Sequence, residues 1–181
     1  MRKAIYIITG VMAAGKSTVA ELLAKRLEKS VHLRGDIFRK MIVSGREEMS
    51  DKPSIEALNQ LDLRYQITAN VAKQYYDNGF TVVVQDNYLG EKLLYFIELL
   101  KDYSVYVIVL NPNIRTIEQR EKNRNKKGYV GFTVENLYRE FMSNTPKIGL
   151  WIDSSTLTPD ETVDEIIKRV DKEAKIKVVG K

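Results

Sequence analysis

The sequence predicts an α/β fold of three layers, a five-stranded parallel sheet covered by helices on both faces. Two observations carry this expectation. Five short apolar runs alternate with stretches of helical periodicity along the whole chain, and the central runs are apolar throughout rather than at every second position, as in strands buried on both faces. The 181 residues suffice for one sizeable core, and no linker-like stretch divides them, so a single domain over 1–181 is expected.

The elements follow in order. Ala4 to Ile8 is rich in β-branched and aromatic residues and stops at Gly10, which makes it a buried strand. From Lys16 to Leu27, Val19, Leu22, Leu23 and Leu27 recur at helical spacing while Lys25, Arg26 and Glu28 face water. Val31 to Leu33 is a weaker strand containing the single histidine, His32, read as structural. A helical stretch with Phe38, Met41 and Ile42 then ends near Gly45. After a polar, turn-rich segment to Pro53, the residues Leu58, Leu61, Tyr65, Thr68, Ala72 and Tyr75 mark one long amphipathic helix that stops near Asn78-Gly79.

Phe80 to Val84 forms the third strand, Glu91 to Leu100 a helix and Val105 to Leu110 the fourth strand. Asn111-Pro112 reads as an N-cap followed by proline at the first helical position, with the helix running to about Asn125. Lys126-Lys127-Gly128 breaks it, and Thr133 to Met142 makes another short helix. Leu150 to Asp153 is the last strand, with Trp151 read as packing. Thr158-Pro159-Asp160-Glu161 carries the capping residue, proline and glutamate of a capping box, and Val163, Ile166, Ile167 and Val170 line one face of the final helix.

Composition narrows the functional classes. With 44% hydrophobic and 29% charged residues the chain is of ordinary globular type. The absence of cysteine removes disulfides, thiolate zinc sites and a cysteine nucleophile, and one histidine cannot form a metal cluster alone. Apolar runs such as Val105 to Leu110 fall far short of the roughly 20 residues that cross a bilayer. Met1 to Ile8 is too short in its apolar part for a signal peptide, so a cytoplasmic protein without membrane association is expected. The net charge of +5 suits an anionic partner, whether nucleotide, RNA or acidic metabolite, as well as a merely solvated basic surface.

One motif decides the chemistry. Gly10-Val11-Met12-Ala13-Ala14-Gly15-Lys16-Ser17 has two glycines, a lysine and a hydroxyl residue at the spacing of a phosphate-binding loop, between a buried strand and an amphipathic helix. The glycines let successive backbone N–H groups converge on phosphate oxygens, and the helix that follows points its positive end at them. Gly10, Ala13, Ala14, Gly15, Lys16, Ser17 and Thr18 are therefore expected to cradle ATP. Lys16 neutralises the β- and γ-phosphates, and Ser17 offers a ligand to Mg²⁺. A GTPase lacks support: Asp86-Asn87-Tyr88-Leu89-Gly90 has the wrong spacing for a switch, and Asn123-Arg124-Asn125-Lys126 is not a guanine-reading motif.

With these residues the chain resembles the small P-loop kinase superfamily of nucleotide, gluconate, shikimate and adenylylsulfate kinases, whose relatives include chloramphenicol phosphotransferase and polynucleotide kinase. The resemblance implies a P-loop NTPase fold with a helical lid at about 115–145 and an acceptor-covering region at about 37–78. Arg34-Gly35-Asp36-Ile37-Phe38-Arg39 looks like the family element in which the aspartate activates the acceptor hydroxyl and the arginine holds substrate. Asp36 is thus a candidate base and Arg34 and Arg39 candidate substrate ligands. The alternatives are a capping role for Asp36 at a helix starting at Ile37, and solvated surface arginines. Ile117 to Arg124 resembles the family's lid, in which Arg120 and Arg124, four apart on one helix face, approach the transferring phosphoryl group; a salt-bridged surface face with Glu118 and Glu121 is the alternative.

Asp86, at the end of a strand similar to a Walker B strand, is a candidate for Mg²⁺ or acceptor binding, or else a helix cap. The resemblance implies an ATP- and Mg²⁺-dependent transfer of the γ-phosphoryl group to a hydroxyl of a small molecule. Two other readings stay open, a polynucleotide or tRNA hydroxyl kinase and a nucleotide-binding regulatory protein without turnover. The acceptor's identity and the oligomeric state are not fixed by the sequence.

Overall fold

The structure, a computed structural model, describes residues 1–123 and 131–176. Strands β1 (Ile5–Thr9), β2 (Ser30–Arg34), β3 (Thr81–Gln85), β4 (Val105–Leu110) and β5 (Leu150–Ile152) form one sheet in the order β2-β3-β1-β4-β5. Every pair of neighbouring strands is parallel. Each connection must therefore carry the chain back across a face of the sheet, and helices do so. They are α1 (Lys16–Lys25), α2 (Asp36–Lys40), α3 (Ile55–Asp77), α4 (Glu91–Leu99), α5 (Ile114–Lys122), α6 (Val134–Asn144) and α7 (Pro159–Glu173). This is the P-loop NTPase fold.

Burial agrees with the strand order. Every residue of β1 and β4 is buried, which suits inner strands covered on both faces, whereas β2 at one edge buries only Leu33 fully. Helix α1 leads from the central β1 to the edge, so the chain leaves the middle of the sheet at the β1–α1 turn. The carboxyl ends of β1 and β3 lie side by side there, and crevices of this kind outside strand ends are where such sheets bind ligands.

Several boundaries differ from the sequence reading, each for a local reason. The helix expected through Ile42 is the single short turn Asp36–Lys40. The helix expected from Pro112 starts two residues later, because Asn113 rather than Asn111 is its cap: the Asn113 side chain accepts from the Thr116 N–H at 3.0 Å. Asn111 instead extends the sheet, donating its N–H to the Ile152 carbonyl. On α3, Tyr65, Thr68 and Ala72 are buried as the periodicity implies, but Leu58 and Tyr75 at its two ends are exposed. Trp151 packs on Phe141 with ring centroids 5.3 Å apart.

The predicted start of α7 is present in full. Thr158 accepts from the Glu161 N–H at 3.2 Å, Glu161 accepts from the Thr158 N–H at 2.8 Å, and Pro159 opens the helix. Replacing Thr158 by alanine leaves both ends of this exchange incomplete. Thr158→Ala is expected to cost about 1 kcal/mol of stability, measured by urea denaturation, with the fold unchanged by circular dichroism.

Candidate active site

The loop between β1 and α1 is shaped by backbone conformations that few residues adopt. Gly10 has φ 145°, and a Cβ there would lie 2.4 Å from the Leu110 carbonyl oxygen, so only glycine lets β1 turn this close to β4. Gly15 has φ 95° and is the N-cap of α1. Ala13 has φ 63°, the single left-handed non-glycine among the described residues. Strain of this kind persists where the surroundings enforce it, and here it curls consecutive N–H groups toward one point. No side chain caps α1, which leaves its N-terminal N–H groups for a ligand.

Lys16 is buried, and its ammonium reaches back across the loop to the Val11 carbonyl at 2.8 Å. That contact holds the charge at the mouth of the loop. Ser17 and Thr18, in the first turn of α1, are exposed toward the same opening. A cleft of about 270 Å³ joins the loop to the opposite wall: Ala13, Gly15, Lys16, Ser17 and Thr18 form one side, and Asp36, Gln85, Asp86 and Asn87 form the other. Gly10 and Ala14 lie beneath the loop, both buried.

Asp36 is the first residue of α2, and Gly35, with no side-chain bond, is its N-cap. The capping role considered for Asp36 at a helix starting at Ile37 therefore does not occur. Its carboxylate accepts from Lys40 at 2.9 Å and from Arg34 at 3.4 Å. Partial burial works to raise its pKa, but the Lys40 hydrogen bond and the Arg34 and Lys40 charges outweigh this and hold the carboxyl below its ordinary value. Arg39 does not join it; its guanidinium pairs with Glu48 on the following loop.

Asp86 follows β3 and is almost fully buried. One Oδ accepts from the Asn87 N–H at 2.8 Å and from the Arg64 guanidinium at 3.2 Å; the other lies 3.1 Å from Arg64 Nε, an ion-pair distance without hydrogen-bond alignment. That second oxygen also presses on Gly35, where a Cβ would stand 2.3 Å from it. Burial pushes the Asp86 carboxyl up, and Arg64, the Asn87 N–H and Lys16 pull it back. A helix-capping role is again absent, since α4 starts at Glu91 with Gly90 as its cap. The segment after Asp86 is pinned from three sides. Tyr65 donates to the Asn87 carbonyl at 2.9 Å, Thr9 donates to the Tyr88 carbonyl at 2.9 Å, and the Tyr88 ring stacks on Phe96 at 4.0 Å.

Arg64 is the site residue that the sequence reading passed over. It lies on the buried stripe of α3 beside Tyr65, and a charged residue on such a stripe was the available signal, since it needs a buried partner. Arg120 of α5 stands on the other side of the loop, donating to the carbonyls of Ala14 at 3.3 Å and Ser154 at 2.9 Å and lying 3.8 Å from where a Gly15 Cβ would be. It thus ties the phosphate loop to the segment after β5 and brings a cation against Gly15. Burial lowers its pKa. Arg124, its expected companion, lies outside the described residues, as does part of the expected lid.

Among the described residues, no group of three or more His, Cys, Asp or Glu side chains could hold a metal ion, and no helix is long and apolar enough to cross a membrane. A Mg²⁺ ion at this cleft would take the Ser17 hydroxyl on one side, with the Asp86 carboxylate on the facing wall, and would draw most of its ligands from phosphate and water. The donor set present fits that mode of binding.

Comparison with known proteins agrees with the fold. A family model described as "AAA domain" matches residues 5–142, well over half of the chain. The structure of the Deinococcus radiodurans tunicamycin resistance protein superposes with a TM-score of 0.71 at 16% identity, over 97% of this chain and 99% of that one. A sugar kinase from a Janibacter species gives 0.68 at 15% identity, over 92% and 94%. The Mycobacterium tuberculosis APS kinase in complex with AMPPNP and APS gives 0.67 at 19% identity, over 92% and 96%. No curated protein matches the sequence. At these identities the structures establish the shared fold, and the resemblance to small P-loop kinases holds at that level.

The buried Arg64–Asp86 pair yields a prediction. Arg64→Met leaves a carboxylate in the interior without its cation, and the expected loss is about 3–5 kcal/mol of stability, read by urea denaturation at neutral pH. Replacing both residues, Arg64→Met with Asp86→Asn, should recover part of that loss. A single variant as stable as the wild type would contradict the pairing.

Proposed function

The chain belongs to the AAA domain family, and within it we propose that this protein is an ATP- and Mg²⁺-dependent phosphotransferase that moves the γ-phosphoryl group to a hydroxyl of a small-molecule acceptor. One observation carries the reading: a phosphate loop with Lys16 and Ser17 faces a wall bearing the carboxylates Asp36 and Asp86 across a single cleft. A second carboxylate, Asp36, stands in the cleft beyond the one at Asp86 that a bound Mg²⁺ would face, and this favours transfer over nucleotide sensing alone.

The roles follow from the chemistry of phosphoryl transfer. The transition state is loose and spreads charge over the equatorial oxygens, so positioning and electrostatic stabilisation do most of the work. The loop N–H groups and the Lys16 ammonium hold the phosphates in place and meet that charge where it develops. Mg²⁺, held at Ser17, would neutralise charge between the β- and γ-phosphates. Asp36, at the first position of α2, accepts the proton of the acceptor hydroxyl as its oxygen bonds to phosphorus and the bond to the β–γ bridging oxygen breaks, giving ADP and a phosphate ester. Arg34 and Lys40 orient the carboxylate. Arg120 fixes the loop and adds a cation on the nucleotide's side, and Arg39 holds the segment that covers the acceptor through Glu48.

Two measurements test the role of Asp36. Asp36→Asn removes the proton acceptor while leaving the phosphate loop intact, so kcat should fall by about 10²–10⁴-fold with the Kd for ATP unchanged by calorimetry. Native turnover in that variant would remove Asp36 from the mechanism. The second is acid stability. A carboxyl titrating lower in the folded chain than in the unfolded one contributes stability above its unfolded pKa of 3.8, and that contribution disappears as pH falls through the folded value. Asp36→Asn should therefore flatten part of the wild type's stability loss below that pH, followed by denaturant midpoints across an acid titration.

A further inference from the structure

The turn that carries Asp36 has little of its own to fix it. Helix α2 is five residues long, no side chain caps it, and none of its residues is fully buried. A helix this short does not hold itself together in water. Its start is set by the sheet, where the Gly35 N–H donates to the Gln85 carbonyl at 3.1 Å. Toward its far end the Phe38 ring packs against the core and the Arg39 guanidinium pairs with Glu48. The Glu48 side chain is 57% exposed, and an ion pair so open to water positions little unless the backbone on one side of it is itself held.

Gln60 supplies that hold. Its Oε1 accepts from the Glu47 N–H at 2.9 Å, and its Nε2 donates to the Gly45 carbonyl at 2.8 Å and to the Glu56 carboxylate at 2.7 Å. One amide thus grips the main chain on both sides of Arg46, and the bond to Glu56 fixes which end of the amide is the donor. The glutamate that meets Arg39 is the next residue along. Gln60 stands on α3 four residues before Arg64, so the two share a face of the helix. Arg64 compensates Asp86. A single face of α3 therefore serves both carboxylates of the cleft, Asp86 directly and Asp36 through the loop.

Resting on the phosphotransferase reading, we propose that Gln60 is a positioning residue for the transfer. It clamps the turn at Gly45–Glu47, the turn holds Glu48 on Arg39, and Arg39 keeps α2, and with it Asp36, in register with the phosphate loop. Misplacing a reacting group by about 1 Å can cost about 10²-fold in rate. Loss of the clamp is thus read in turnover, while ATP on the phosphate loop is held as before.

The test compares Gln60→Ala, Glu48→Ala and the double variant. Label transfer from γ-labelled ATP to a protein-free extract of cellular small molecules gives turnover, calorimetry gives ATP affinity, and urea denaturation gives stability. Turnover per folded molecule is expected to fall by about tenfold or more in each single variant, with the Kd for ATP unchanged. The double variant should fall no further than the weaker single one, to within about twofold, because the two residues act in series. Native turnover in Gln60→Ala overturns the proposal, and a lowered urea midpoint beside it would show a purely structural role. Losses that multiply in the double variant also overturn it, since they place Gln60 and Glu48 in separate roles. Should wild-type protein that binds ATP transfer no label, the phosphotransferase reading falls and this inference with it.

Discussion

The function proposed for this protein depends on the way β1 turns into α1. Gly10 lies so close to the Leu110 carbonyl of β4 that a methyl group cannot enter, and Ala13 and Gly15 take left-handed conformations in quick succession. Those three backbone constraints gather N–H groups and the uncapped start of α1 at one point, and Lys16 is braced across the loop by the Val11 carbonyl. The positive end of a helix and converging N–H groups favour an anion at that point. The rigid central strands β1 and β4, buried along their whole length, hold the loop in place.

The opposite wall is built by a second close approach. Asp86 presses against the Cα of Gly35, the residue just before Asp36, so that the ends of β2 and β3 set the relative positions of the two carboxylates. Arg64 reaches in from α3 to compensate Asp86, and Tyr65, its neighbour on the helix, fixes the backbone of Asn87. The long helix α3 thus shapes the cleft without lining it. Burying an ion pair is rarely a gain in stability over apolar packing. What the pair does here is position a carboxylate in the cleft, with Arg64 opposing the burial that pushes the Asp86 pKa up.

Much of this was legible in the sequence. The strands, being apolar runs between turn signals, were found within a residue or two, and the phosphate loop stood out because each of its residue types answers a separate physical demand. Asp36 and Asp86 were visible as carboxylates placed just beyond strands, and both line the cleft. Less legible was whatever depends on long-range pairing. The strand order and the Arg64–Asp86 pair join residues far apart in the chain; periodicity puts Arg64 on the inner stripe of α3 but does not name its partner. Local competition also misled: Asn111-Pro112 has the composition of a helix start, yet Asn113 takes the cap because Asn111 is still committed to the sheet. Arg39 and Arg120, read as substrate and lid residues, are held respectively by Glu48 and by the carbonyls of Ala14 and Ser154, partners that no spacing rule would supply.

The central claim is that the β1–α1 loop is an anion cradle whose charge is completed by Lys16. Calorimetric titration of ATP with Mg²⁺ into the wild type and into Lys16→Ala addresses it most directly. The account predicts saturable one-to-one binding to the wild type and a loss of affinity of about tenfold or more in the variant, consistent with removing a charge-assisted contact worth about 1.5–3 kcal/mol. Equal affinity in the two proteins, or no binding to the wild type, would contradict it.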